Sequence, residues 1–283
     1  DMLLDNTLTK FSFDNTNING QVVTLCSRYR DVISTKKYSQ DVSLLLGEFF
    51  VAVCLLSASL KYNGRLILQA HELRGMASIM AECNSRNDIR GIVRGNLSTL
   101  SNHVDFYELF KEGTLRLTVE PESGKRYQGI VPVSGKTLSN CLEYYFEQSE
   151  QLKTKIKLVA NMEAAAGILL QKLPQQTPNE QCSQDWIEKS MLLETLRKEE
   201  QIKLSHNDQL TSLFPNDAVR ILSIKNPNFR CSCSRERILK ALHALSYKET
   251  QSIFEEGDSI SVNCEFCNKN YEFCKTEFEN LHN

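Results

Sequence analysis

The chain of 283 residues is 41% hydrophobic and 24% charged, long enough to bury a sizeable core and ordinary in composition for a globular protein. A formal net charge of -2, with no basic block anywhere, argues against a protein held to nucleic acid mainly by electrostatics. The opening stretch DMLLDNTLTKFSF has no apolar run of signal-peptide length, so the ten cysteines are expected as reduced thiols in the cytosol and not as a secreted disulfide framework.

Val42, Leu45, Leu46, Phe49, Phe50, Val53 and Leu56 recur at helical spacing and predict a core helix. The most apolar run, Leu44 to Leu60, is interrupted by Gly47, Glu48 and serines and falls short of the roughly 20 residues a membrane span needs. A buried helix and no membrane partner are expected. NGRLILQAHE turns at Asn63-Gly64 into a strand. TLRLTVE alternates Leu115, Leu117 and Val119 with Arg116, Thr118 and Glu120; PESGKR is a turn, and YQGIVPV completes a hairpin with one buried face. Leu138, Cys141, Leu142, Tyr145 and Phe146 form one face of a helix, and strands are expected at TKIKLVANM and AAGILLQKL. The first 173 or so residues therefore read as a sheet covered by helices.

GIVPVSGKT has the look of a phosphate loop, but five residues separate Gly129 from Gly135 where four are required, and Pro132 removes an amide donor. No ATP is expected. Pro174 and Pro178 bracket a polar connection, PQQTPNEQ. Over 183–213 the character changes: Trp186, Ile187, Met191, Leu193 and Leu196 make a narrow apolar stripe, and Glu188, Lys189, Glu194, Arg197, Lys198, Glu199 and Glu200 fill the remainder. Such a helix packs through one face only, either as an ordinary surface helix or as a linker latch that comes undone.

Cys26, Cys54, Cys83, Cys141 and Cys182 are scattered singly and read as small buried or incidental residues. The other five crowd towards the C-terminus. Cys231 and Cys233 are one residue apart, and Cys264 and Cys267 two apart. Zinc takes four thiolates tetrahedrally, and two short cysteine pairs brought together by folding supply them. One zinc per chain is expected on Cys231, Cys233, Cys264 and Cys267. Four sulfur ligands leave no open position for a catalytic water, and no HExxH or GxSxG occurs, so no enzymatic role is expected. Arg230, Arg235 and Arg237 lie close in sequence, either as solvated charge or as support for the anionic cluster. Thiolates are also the groups that peroxide and hypochlorous acid attack, and a CxxC pair closes a disulfide easily, whereas a CxC pair in extended backbone has its Cα atoms roughly 6.6 Å apart. Oxidation of a zinc-organised site would then unfold the C-terminal segment. Cys274 lies too far along the chain to complete the second pair and reads as a bystander.

CSCSRER, CEFCNKNY, KRYQGIV and LSNCLEYYFEQSEQL together resemble the bacterial redox-regulated chaperone family, the 33-kilodalton heat-shock proteins, over nearly the whole chain. The resemblance implies a cytosolic, ATP-independent holdase that is inactive when reduced and zinc-bound. It further implies Cys231–Cys233 and Cys264–Cys267 as disulfides after oxidation, zinc release, unfolding of the helical linker, binding of unfolded client proteins, and a homodimer in the oxidised state. The organisation expected is α+β, with a mixed sheet-and-helix domain over 1–176, a helical linker over 177–227 and a small zinc-binding redox-switch domain over 228–283.

Two other classes stay open. CxC and CxxC pairs also build zinc ribbons that bind nucleic acid, although seven basic against nine acidic residues from Asn228 onward offer little phosphate affinity. A thiol oxidoreductase using Cys264 and Cys267 would leave the other pair unexplained.

Overall fold

The computed structural model describes residues 6–35, 38–59, 63–72, 77–95, 105–174, 180–243 and 257–279. Pro178, with most of the PQQTPNEQ connection, lies outside them. Contacts divide the chain into two units, 1–229 and 230–283.

The first unit begins with β1 (Thr7–Phe13), β2 (Ile18–Leu25), α1 (Tyr29–Thr35), α2 (Gln40–Ser59), β3 (Gly64–His71), β4 (Ser78–Asn84) and β5 (Asp88–Arg94). It continues through α3 (Phe106–Phe110), β6 (Thr114–Pro121), β7 (Tyr127–Pro132), α4 (Leu138–Tyr145), a π-helical turn at Phe146–Glu150, β8 (Thr154–Ala160) and β9 (Ala165–Lys172). α5 (Glu180–Thr195), α6 (Lys198–Lys203), α7 (His206–Leu213), β10 (Val219–Lys225) and β11 (Asn228–Phe229) complete it. One sheet has the order β10-β1-β2-β9-β8 and is antiparallel throughout. The other has the order β11-β5-β4-β3-β6-β7, antiparallel except where β11 joins β5.

The architecture follows from α2. All seven residues of the predicted stripe are buried, and so are Val51, Ala52, Cys54 and Leu55 on the other side of the helix. A helix apolar all round must be enclosed. It packs on β2, β8 and β9 of the first sheet and on β3, β4 and β5 of the second. Two glycines let the sheets close on it. A Cβ on Gly91 in β5 would lie 2.6 Å from the Phe50 ring, and one on Gly167 in β9 would lie 2.6 Å from Val51 Cγ1. At 20 residues the helix is longer than expected and meets the length and apolarity of a membrane span, a consequence of its being buried between two sheets.

The hairpin is β6 and β7, the predicted helix is α4, and the two later strands are β8 and β9. β2 and β9 are buried along nearly their whole length, because α2 covers one face and a helical layer the other. That layer corrects the single helix expected over 183–213: the chain forms α5, α6 and α7, with breaks at Leu196–Arg197 and Leu204–Ser205 where the N-cap residues Arg197 and Ser205 take extended conformations. β10, also within 177–227, is the edge strand of the first sheet.

The second unit is small. α8 (Arg235–His243) follows the first cysteine pair, and β12 (Ser259–Asn263) and β13 (Asn270–Cys274) form a hairpin that ends in α9 (Lys275–Glu279). Its buried core among the described residues is Cys264, Tyr271 and Phe273.

Replacing Gly91 with Val forces a side chain against Phe50 and the Met80 carbonyl. The expected cost is about 1–3 kcal/mol, read as a lower urea midpoint of far-ultraviolet circular dichroism.

Candidate metal centre

Each cysteine pair lies next to a short secondary-structure element. Cys231 and Cys233 sit just before α8, whose first turn is capped by Ser234: its hydroxyl accepts from Arg237 N at 3.2 Å and its carbonyl from Ile238 N at 3.1 Å. Cys264 and Cys267 occupy the turn of the β12–β13 hairpin. There Cys264 N donates to the Lys269 carbonyl at 2.9 Å, Asn268 N donates back to the Cys264 carbonyl at 2.8 Å, and Asn268 adopts a left-handed φ of 57°.

All four Sγ atoms lie within 4.8 Å of one another. The short contacts run across the pairs, Cys231 to Cys264 at 3.7 Å and Cys233 to Cys267 at 3.4 Å. Metal–sulfur bonds of about 2.3 Å in a tetrahedron give sulfur–sulfur edges of about 3.8 Å, so the donor set fits a tetrahedral cation of the zinc type. Burial works to raise the Cys233 thiol, but hydrogen bonds from the Tyr271 hydroxyl, 3.2 Å away, and from the other three thiols outweigh it and pull it below its ordinary value. The Cys267 thiol moves the other way, pushed up by burial and by its cysteine neighbours. Crowded thiols deprotonate one at a time, each negative charge opposing the next, and a divalent cation removes that opposition.

Two of the three nearby arginines brace the site. Arg237 Nη1 donates to the carbonyl and hydroxyl of Ser232, between the first two cysteines, at 2.8 and 2.7 Å. Arg235 donates to the Glu272 carbonyl at 2.9 Å, pairs with Glu277 at 2.7 Å and stacks 4.6 Å above the Phe273 ring. Arg230 is exposed. Cys274 pairs with Ser259 at the open end of the hairpin, opposite the end that carries Cys264, and stands apart from the four-sulfur group.

The apolar stripe divides. Leu193 and Leu196 are buried in a second core formed with Phe11, Phe13, Ile18, Val22, Ile168 and Leu170 on the outer face of the first sheet, and Trp186 packs against that core. Ile187 and Met191, by contrast, are 57% and 67% exposed. The sequence reading missed Lys189, placed with the polar remainder yet only 2% exposed: its Nζ pairs with Asp217 at 2.8 Å and lies 5.0 Å from the Phe13 ring centroid. It follows Trp186 by three residues and precedes Leu193 by four, so helical spacing alone puts it on the docked face. Further polar ties hold the layer down. Lys157 Nζ donates to the carbonyls of Glu194 and Leu196 at the C-terminal end of α5, at 2.9 and 2.8 Å, and buried Gln209 donates to the carbonyls of Gln201 and Leu204 at 3.1 and 3.0 Å.

Comparison with known proteins places the chain among chaperones. The family model described as "Hsp33 protein" matches residues 6–274. The 33 kDa chaperonin of Pseudomonas syringae pv. tomato is 39% identical over 96% of this chain and 92% of its own length. That of Azotobacter vinelandii is 38% identical over 96% and 93%. The crystal structure of the 33 kDa chaperonin from Thermotoga maritima has the same fold, with a TM-score of 0.84 at 19% identity over 98% of this chain and 97% of that one.

The divided stripe sets a contrast between two substitutions. Leu193→Ala should cost about 2–5 kcal/mol, whereas Met191→Ala should stay within about 0.5 kcal/mol of the parent, both read from urea unfolding followed by the fluorescence of Trp186.

Proposed function

The chain belongs to the Hsp33 protein family of chaperones, and we propose that it is a redox-regulated, ATP-independent holdase switched by its four clustered cysteines. The observation that carries this reading is the gathering of four Sγ atoms within 4.8 Å in a unit with only three buried core side chains among its described residues. Cys231, Cys233, Cys264 and Cys267 are the zinc ligands in the reduced protein. Zinc held there would supply the clasp that orders α8 and the β12–β13 hairpin.

Oxidation joins Cys231 to Cys233 and Cys264 to Cys267. For each disulfide two cysteine thiolates would give up two electrons, and one hydrogen peroxide would take them up with two protons from solvent to leave as two waters. Bonds within the pairs replace the contacts across them, so the four-sulfur arrangement cannot survive. Zinc is released and the C-terminal unit loses order.

The functional divisions in this reading are 1–176, 177–227 and 228–283, the middle one acting as the latch. Trp186, Leu193 and Leu196 cover the outer face of the first sheet while docked. Their release frees that apolar face and their own side chains for unfolding client proteins, with Ile187 and Met191 already exposed beside them. The oxidised protein acts as a homodimer in the cytoplasm, with no nucleic acid, membrane or nucleotide taking part.

Warm peroxide treatment of the reduced, zinc-loaded protein should release about one zinc per chain, measured with a colorimetric chelator. Suppression of the aggregation of a thermally unfolding test protein should appear at the same rate, without ATP, and disappear on reduction. Zinc release without any holding activity would leave the cysteines as a structural clasp and end the switch reading.

A further inference from the structure

α7 begins on a histidine that bonds to two strands at once. His206 Nδ1 lies 2.7 Å from the hydroxyl of Thr9 in β1, and its Nε2 lies 3.0 Å from the hydroxyl of Thr24 in β2. Both threonines are buried and stand on the outer face of the first sheet, the face that α5 to α7 cover. A neutral imidazole offers one N–H and one lone pair, and a hydroxyl on each side satisfies both. The ring is thus the polar counterpart of Leu193 and Leu196 in docking this segment.

The surroundings suit only the uncharged ring. On this sheet face the neighbouring side chains are Thr7 and Phe11 of β1, Val22 of β2, and Ile221 and Ile224 of β10, none of them charged. Lys10, Arg220 and Lys225 occupy positions of the opposite face, with Lys10 donating to the Ala58 carbonyl and Arg220 paired with Asp14. Among the helices, Lys189 is paired with Asp217, Asp208 accepts from the Ser205 hydroxyl at 2.6 Å, and Lys203 closes α6 with its side chain exposed. Among the described residues no carboxylate bonds to the ring, and its two partners are hydroxyls.

We propose that His206 is the positioning residue that fixes the 180–213 segment to the sheet, and that proton uptake by its imidazole releases the segment. Burial pushes the docked imidazole down from about 6.5 to about 4. A released ring returns to the ordinary value, so the docked state has its full stability above about pH 6.5 and loses it as pH falls towards 4. Between pH 7.5 and 5.0 the docking equilibrium should weaken about 30-fold through this one group. Acid thereby becomes a second route to the undocking that the holdase reading assigns to oxidation.

The test uses the full-length reduced protein and needs neither oxidant nor client, so it is decided separately from the holdase reading. Trp186 is the single tryptophan of the chain and lies in the docked layer. Its fluorescence should report a lower urea midpoint at pH 5.0 than at 7.5, equivalent to about a 30-fold change, and His206→Gln, which keeps a bridging amide and cannot titrate, should cut that change to under about 3-fold. Equal pH shifts in the parent and H206Q, or no shift in the parent, would overturn the proposal. Should H206Q fail to fold, the imidazole C2–H of His206 in the parent decides by proton NMR: titration well below 6.5 supports it, and titration near 6.5 in the docked protein contradicts it.

Discussion

Four sulfur atoms gather within 4.8 Å in a unit that buries few apolar side chains among its described residues. Residues 230–283 bury Cys264, Tyr271 and Phe273 among their described positions, with Ile238, Leu239, Ile260 and Val262 only partly covered. Ordering each residue costs about 1–2 kcal/mol of backbone entropy, and the apolar contacts among the described residues offset little of it. A metal clasp on the cysteines is the natural remedy, since binding free energy at such a site is folding free energy. If the proposed clasp holds, the same dependence would make the unit sensitive to oxidants, because chemistry on a few sulfurs would decide whether it stays ordered.

The first unit rests on different terms. α2 is enclosed by two sheets that close to glycine distance on either side, and this core does not involve the sulfur cluster. The layer of α5 to α7 is held less tightly, by one strip of leucines and a handful of polar ties from Lys157, Lys189, His206 and Gln209. Stability is graded across such a structure, and the proposed latch is drawn from the layer with fewer ties.

The parts legible in the sequence were those set by local spacing. The α2 stripe, the β6–β7 hairpin, the α4 face and the two cysteine pairs all repeat over a few residues, and each stands where its spacing places it. β2 is covered on both faces, so it carries no alternation to read. α5 to α7 read as one helix because no proline or glycine marks their boundaries at Leu196–Arg197 and Leu204–Ser205. Tyr271, Lys189 and His206 were invisible for another reason: their roles come from Cys233, Asp217, Thr9 and Thr24, partners fixed only by the fold. A lysine among glutamates reads as solvated charge until an aspartate and a phenylalanine ring are placed against it.

The most direct test of the central claim is amide hydrogen exchange on the reduced protein, with zinc and after its removal by a chelator. The account predicts that α8 and the β12–β13 hairpin lose their protection without metal while α2 and β9 keep theirs. Undiminished protection of 230–283 in the metal-free reduced protein would show that the unit stands on its own side chains, and the dependence on four sulfurs would be contradicted.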